Sequence, residues 1–404
     1  MDDQARENRA TLGAGLFTNG VWDMLSVVVP LYGVAVGLNA AEIGLVVAAR
    51  SVLPAALSIH GGILMDQLGI RRVLLWVAAG SATLPLLYPL SGWFVVLVAL
   101  QLLLGLASSL GMAAAQTWSL QSSHGDTATL ARFSVYSRIG TFLGPVVVGA
   151  AWDLFGAWVA FACVALCGAG IVASAAHGVP GGMRRAQPAP PALSVLMPRW
   201  AQHKEALALA LIPAVAFILA VSFLRNAPGA IQSSLFVVYL DGIGMSGTLI
   251  GFLVALSELF GVFGSMVAAP MERRMRGDRL LVACVAVSIA GIVITPLIGQ
   301  FLVLLIVASA VRGIGQGISQ PLMYSILSHG SPSSRHGASV GLRNAVVRLA
   351  SIVTPTAMGF AAEAWGIEAS FYVIGVVFLS ATAALALAMP RVASAKGANR
   401  KAEG

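Results

Sequence analysis

The sequence predicts an all-α integral membrane protein, with twelve transmembrane helices arranged as two pseudo-symmetric six-helix bundles. Three observations carry this prediction. Of the 404 residues, 58% are hydrophobic and 10% charged, whereas a soluble domain carries about 25% charged residues. Apolar runs of about twenty residues, the length that crosses a hydrocarbon core of about 30 Å, recur along the chain. And the chain repeats itself.

RIGTFLGPVVVGAAWDLFG begins at Arg138 and RLASIVTPTAMGFAAEAWG begins at Arg348, placing Pro145 on Pro355, Gly149 on Gly359, Asp153 on Glu363 and Gly156 on Gly366. At a nearly equal offset, LYGVAVGLNAAEIGLVVAARS from Leu31 lies over VYLDGIGMSGTLIGFLVALSE from Val238, with Tyr32 on Tyr239 and Gly37 on Gly244. Self-similarity at one long period means duplicated bundles. In an apolar chain, parallel duplication points to a transporter built from two related halves.

The segments run 12–37, 42–63, 72–90, 94–119, 132–151, 156–176, 207–241, 247–269, 279–298, 301–325, 338–361 and 366–389. The first begins after MDDQARENRA, too short and polar to be a cleavable signal. The fifth and the eleventh are symmetry mates, closed at their outer ends by Asp153 and Glu363. The seventh is overlong, so a tilt or a break is expected near Pro228-Gly229. The halves are 1–176 and 207–404, joined by a linker at 177–206 rich in Pro, Gly and basic residues, in which MPRWAQHK reads as a short interfacial helix anchored by Trp200.

The net charge of +8 reflects topology rather than nucleic-acid binding. Arg6, Arg9, Arg71, Arg72, Arg132, Arg184, Arg185, Arg273, Arg274, Arg276, Arg279, Arg335 and the basic residues of the tail fall in one alternate set of loops or at the termini. The opposite loops carry acids such as Glu42, Asp241 and Glu368. By the positive-inside rule both termini are cytoplasmic, and a bacterial plasma (inner) membrane is the expected setting. Cys163, Cys167 and Cys284 form no disulfide framework and no ligand set, so no metal is expected. No phosphate-cradling G-x-x-x-x-G-K-[ST] sequence appears, which argues against ATP as the energy source.

GILMDQLGIRRVL, from Gly62 to Leu74, resembles the G-x-L-x-D-[R/K]-x-G-[R/K]-[R/K]-x-x-L loop of the Major Facilitator Superfamily, with Gln67 and Ile70 departing from it. Gly140, Gly144, Pro145 and Gly149 match part of the antiporter motif of the same family, as in its bacterial drug:proton antiporters, with Ala131 and Val148 replacing two glycines. The family's helix 4 arginine is absent, since Gln101 stands there. The resemblance implies that Gly62, Asp66, Gly69 and Arg71 form a conformational latch, with Asp66 facing the N-terminus of the eleventh helix and Arg343 as an added partner. In the second half MERRMRGDRLL, from Met271, moves its acid to Glu272, so a symmetrical second latch does not follow.

Ionisable groups within spanning segments cost a few kcal/mol each, which makes them functional candidates. Asp23 in the first segment is the first choice as proton carrier, with a permanent pair to Arg50 of the second segment as the alternative; Glu258 is the second acid. Asn19 lies one turn before Asp23 and matches Asn226, whereas Ala230 matches Asp23, so the polar position is duplicated and the acid is not. Trp22, Arg225, Asn226, Arg312 and Gln316 join Asn19 and Arg50 as candidate cavity residues, with snorkelling as the alternative for Arg225 and helix-to-helix bonding for Arg312. Arg138 and Arg348, the duplicated arginines, either meet an anionic substrate or act, with Gly144 and Pro145, in the conformational frame; their nearness to the cytoplasmic face favours the latter. Tyr32, Phe223 and Tyr324 are further aromatic candidates.

The expected function is proton-coupled export of a small amphipathic organic compound by a monomeric secondary transporter that needs no cofactor beyond the proton gradient. Proton-coupled uptake of a small organic anion is the alternative. A membrane enzyme or a non-transporting receptor has no residue support, because no catalytic cluster appears.

Overall fold

The computed structural model describes residues 2–123, 126–178, 213–330 and 336–402, and their side chains outside 2–5, 58–64, 66–67, 213–214, 327–330, 336–341 and 389–402. Helices account for nearly all of them: α1 (Asp2–Ala35), α2 (Ala40–Leu68), α3 (Ile70–Thr83), α4 (Phe94–Ser122), α5 (Thr127–Phe155), α6 (Ala157–His177), α7 (Pro213–Ile231), α8 (Gly247–Arg274), α9 (Gly277–Val293), α10 (Leu302–Gly330), α11 (His336–Trp365) and α12 (Ile367–Ala402). Eleven helical stretches among the described residues are long and apolar enough to cross a membrane. The ninth expected span is present but interrupted. α9 covers 17 residues and stops before Thr295–Ile298, a four-residue helix with proline in its first turn, because Pro296 has no N–H with which to continue the ladder.

Two further helices depart from a plain rod. α3 narrows into a 3-10 helix at Leu84–Leu90 that contains Pro85 and Pro89. α7 runs through Pro228 unbroken, so the expected break at Pro228-Gly229 does not occur there. The irregularity lies a few residues later, as a π turn at Gln232–Phe236 followed by a short helix, Val237–Gly242. Such a turn inserts extra backbone and re-aims the side chains beyond it. Gln232 stays buried with its amide 3.1 Å from the Ser257 hydroxyl of α8, and Ser234, Leu235 and Phe236 are buried as well.

The duplication is visible in the backbone. Gly37 and Gly244 both sit at positive φ, 79° and 83°, at the ends of matching helices, and Gly156 and Gly366 do so at 77° and 88°. A further pair shows only in packing. A Cβ on Gly105 of α4 would strike the Arg50 carbonyl of α2, and a Cβ on Gly313 of α10 would strike the Ser257 carbonyl of α8. Glycine therefore sets the approach of the second helix of each half to the fourth.

The chain divides into two compact units, Met1–Met197 with Ser233–Ala255, and Pro198–Gln232 with Leu256–Gly404. The division falls within the seventh and eighth helical segments, at the first residue of the π turn and at Ala255. In the first unit α1 is central, packed on α4, α5 and α6. Gly140 of α5 lies against the Leu16 carbonyl of α1, and a Cβ on Gly144 would come within 3.1 Å of the Gly20 carbonyl. In the second unit α7 packs on α9, α10, α11 and α12. α1 begins ten residues before its expected start. Its early turns are anchored by Glu7, buried, which accepts a hydrogen bond from the indole of the fully buried Trp118 in α4 at 3.2 Å.

Candidate functional site

In the first unit the close seating of α2 on α4 at Gly105 fixes the backbone at Arg50. The guanidinium of Arg50 is buried, lies 3.5 Å above the ring centroid of Trp22 in α1 and donates to the Trp22 carbonyl. The flat delocalised cation gains from the ring's negative face while its N–H groups stay directional, which an ammonium would not match. Asp23, the next residue, is half-buried, and its carbonyl accepts from the Ser26 hydroxyl at 2.6 Å. Asn19 turns its amide onto the Gly15 carbonyl of its own helix at 2.8 Å.

Tyr32, a candidate for substrate contact, is instead a packing residue. It is buried, meets Phe161 edge-on at 5.3 Å, and Phe161 stacks on the fully buried Tyr88 at 4.7 Å. Phe223 likewise meets Phe378 edge-on at 6.3 Å.

The second unit holds the larger polar cluster. Arg225 of α7 donates from Nε to the Ser319 hydroxyl of α10 at 2.7 Å, and from one terminal nitrogen to the Gln316 carbonyl at 3.0 Å and the Gln320 side-chain oxygen at 3.3 Å. Its neighbour Asn226 donates to the Ser351 hydroxyl at 2.7 Å and the Val347 carbonyl at 3.2 Å, both in α11. Adjacent residues of α7 thus bind two different helices. Arg343 of α11 is buried, donates to the Tyr324 hydroxyl at 3.1 Å and to the Asn344 side chain at 3.2 Å, and lies 4.7 Å from the Tyr324 ring centroid. Arg312 is almost wholly buried at 2% exposure. The Glu258 carboxylate of α8 attracts both Arg225 and Arg312, while Arg225 and Arg343 repel each other.

Several expectations change at this level. Asn19 and Asn226 are equivalent in sequence but not in role, since one bonds its own helix and the other fastens α7 to α11. Arg343, expected near the latch acid, is engaged by α10. Gly62 and Asp66 lie in α2 at positions whose side chains are not described, and Trp200 and most of the linker lie outside the described residues. Gly69 has φ 85° and separates α2 from α3. Arg71 donates to the Ala175 and Ala176 carbonyls at the end of α6, at 3.1 and 3.4 Å. Arg138 is exposed and Arg348 half-buried, while Gly144 and Pro145 are buried within a continuous α5. Ser319 and Ser351 were missed, because a serine in an apolar helix carries no signal that separates a partner of arginine from one bonding its own backbone.

The sequence profile of the Major Facilitator Superfamily matches residues 11–276 and 219–404. Over 108 residues the chain is 32% identical to an uncharacterized MFS-type transporter, YcnB, of Bacillus subtilis (strain 168), covering 27% of this chain and 23% of that one. Over 172 residues it is 28% identical to a probable anion transporter 2, chloroplastic, of Oryza sativa subsp. japonica, covering 41% and 32%. The matched stretches thus span about a quarter and a third of these relatives. Among solved structures, the nucleoside transporter NupG superposes with a TM-score of 0.75 at 15% identity over 97% of this chain and 99% of that one. A peptide transporter POT in complex with sulfate superposes with a TM-score of 0.72 at 16% identity over 96% and 95%. At these identities the likeness is one of fold.

Proposed function

The chain belongs to the Major Facilitator Superfamily and is a multi-pass membrane transporter of that type rather than an enzyme, and from this premise we propose that it carries a small organic compound bearing an anionic group, coupled to protons, by alternating access. The observation that carries the reading is the arginine cluster of the second unit. Arg225 and Arg312 lie well inside apolar helical spans and Arg343 at the start of one, with Glu258 as the acid that attracts the first two. Placing cations there is costly, and such residues mark substrate pathways. A guanidinium held in orientation along one edge, as Ser319, Gln316 and Gln320 hold Arg225, can turn its other terminal nitrogen to a carboxylate or phosphate. The partial match to a probable anion transporter supports the same substrate class.

Asp23 is the proton carrier in this reading and Glu258 the modulating acid. Asp23 follows Trp22, on which the Arg50 cation rests, so a proton on Asp23 alters the charge balance one residue from that contact. The protein works as a monomer in a bacterial inner membrane, with both termini cytoplasmic and no cofactor. Reconstituted vesicles with an imposed pH gradient test the assignment. Asp23→Asn abolishes gradient-driven accumulation of a small carboxylate while exchange of that carboxylate persists. Accumulation undiminished in Asp23→Asn would remove Asp23 from the coupling step.

A second reading, export of an amphipathic compound by antiport, is favoured by one observation. Gly140 and Gly144 of the antiporter-like face of α5 seat directly on the α1 backbone, on the helix that carries Asp23. Vesicles with an imposed pH gradient separate the two, since protons run down the gradient in both cases, whereas a symporter moves substrate with them and an antiporter moves it against them.

A further inference from the structure

A cavity of about 600 Å³ opens between α1 and α6, within the first unit alone and lined by neither Arg50 nor Trp22. Its lining is divided. Arg6, Arg9 and His177 stand at one end, and Phe17, Gly170 and Ala173 form a mostly apolar remainder with Ser174, whose hydroxyl is turned onto the Gly170 carbonyl at 2.8 Å. From Arg6 to Phe17 the lining runs eleven residues along α1, about 16 Å at 1.5 Å per residue. The groove therefore starts at the basic end of the helix, ahead of the apolar segment that begins at residue 12, and at Phe17 reaches about 8 Å into a hydrocarbon core of about 30 Å.

The local packing explains both the groove and its charge. Gly170 leaves the Phe17 ring lying against the α6 backbone, where a Cβ would come within 2.7 Å of the ring, and Ala173 adds little bulk beyond it. Glu7, the acid between the two arginines in sequence, faces the other way and accepts from Trp118 in the core, so its charge is turned from the cavity. The C-terminus of α6 would present carbonyl oxygens unfavourable to an anion. Arg71 covers two of them, those of Ala175 and Ala176. His177 gives Nδ1 to the Ala173 carbonyl at 2.7 Å, and since a carbonyl only accepts, that nitrogen carries the hydrogen.

We propose that this groove binds one anionic phospholipid of the cytoplasmic leaflet, its phosphate held by Arg6 and Arg9 beside His177 and an acyl chain lying along Phe17, Gly170 and Ala173. A basic rim at headgroup level continuous with an apolar trough is what a phospholipid complements. A soluble phosphate would use only the rim. The assignment shares the orientation of the proposed transport reading but not its substrate site, so either can fail alone.

The test uses the full chain in nanodiscs of phosphatidylcholine and phosphatidylglycerol, with retained lipid counted by native mass spectrometry after release. The wild type retains phosphatidylglycerol over phosphatidylcholine, excess inorganic phosphate does not displace it, and R6Q/R9Q lowers the preference about tenfold or more. Ala173→Trp, which fills the trough and leaves the rim intact, also lowers retention. The melting temperature of each variant, measured in parallel, shows that it is folded. Equal retention of the two lipids by the wild type, or unchanged preference in a folded R6Q/R9Q, overturns the proposal. Displacement by inorganic phosphate, with Ala173→Trp retaining as the wild type does, overturns the lipid as occupant.

Discussion

The Asp153 carboxylate at the end of α5 caps the helix that starts at Gly247. It accepts the Gly247 and Thr248 backbone N–H groups at 2.7 and 2.8 Å and the Thr248 hydroxyl at 2.5 Å. The first N–H groups of a helix have no partner within it, and a carboxylate there also meets the positive end of the dipole. α2, the sequence equivalent of α8, is capped from within, by the reciprocal Asn39 and Glu42 box. Asp153, which the repeat marks as the outer end of α5, thus fastens α5 to a second helix.

Asp153→Ala removes that cap, and a loss of about 1 kcal/mol is expected. Thermal unfolding of the purified protein in detergent checks it, with Asp153→Asn intermediate because one side-chain oxygen still accepts.

Gly140→Ala drives a methyl into the Leu16 carbonyl, and backbone cannot yield as a side chain does. A destabilisation of about 1–3 kcal/mol is expected. Gly20→Ala at the same α1–α5 interface is the control, since the nearest atom to its Cβ lies 3.8 Å away and no loss is expected. Melting temperatures of the two variants decide the matter.

Arg225→Lys keeps the charge and loses the fork. An ammonium cannot hold Ser319, Gln316 and Gln320 as Arg225 does. The apparent KM for an anionic substrate should rise at least tenfold in Arg225→Lys and further in Arg225→Gln, with Asn226→Ala changing turnover more than KM because Asn226 carries no charge for an anion and ties α7 to α11. Initial rates in vesicles measure all three.

Asp126 precedes α5, outside the spanning residues. Its carboxylate accepts from the Thr129 hydroxyl and from the Ala128 and Thr129 N–H groups, which holds its pKa below the usual carboxylate range. A depressed pKa means a contribution to stability that is complete above the unfolded value and lost as pH falls through the folded one. Amide protection in the first turn of α5 should therefore fall in acid in the wild type. In Asp126→Asn it should stay level, because the amide caps without titrating. Hydrogen exchange of that turn, referenced to unstructured peptide at each pH, reads the difference.

Much of the architecture was legible because bilayer length and duplication are one-dimensional properties. Twelve apolar stretches, the Gly37 and Gly244 turns and the Gly156 and Gly366 turns can all be read off the chain. The Arg50–Trp22 stack was not, although both residues were candidates, because it depends on how closely α2 approaches α4. Gly105 sets that approach, and in sequence it is one glycine among 44. The π turn escaped for a related reason. Pro228-Gly229 has the composition of a break, but the burial of Gln232 and Ser234 moves the distortion along the helix.

The sequence by itself determined that this chain lives in a bilayer, that it is duplicated, and which ionisable residues lie at membrane depth, since each follows from composition, period and the cost of burying charge. Only the tertiary structure decided which partners those residues have. Arg225 and Asn226 are neighbours in sequence, yet one is held by α10 and the other by α11. Asn19 and Asn226 occupy matched positions, yet only the second joins two helices. Hydrogen bonds are short and directional, so their pairing depends on helix separation and rotation, which no linear pattern encodes.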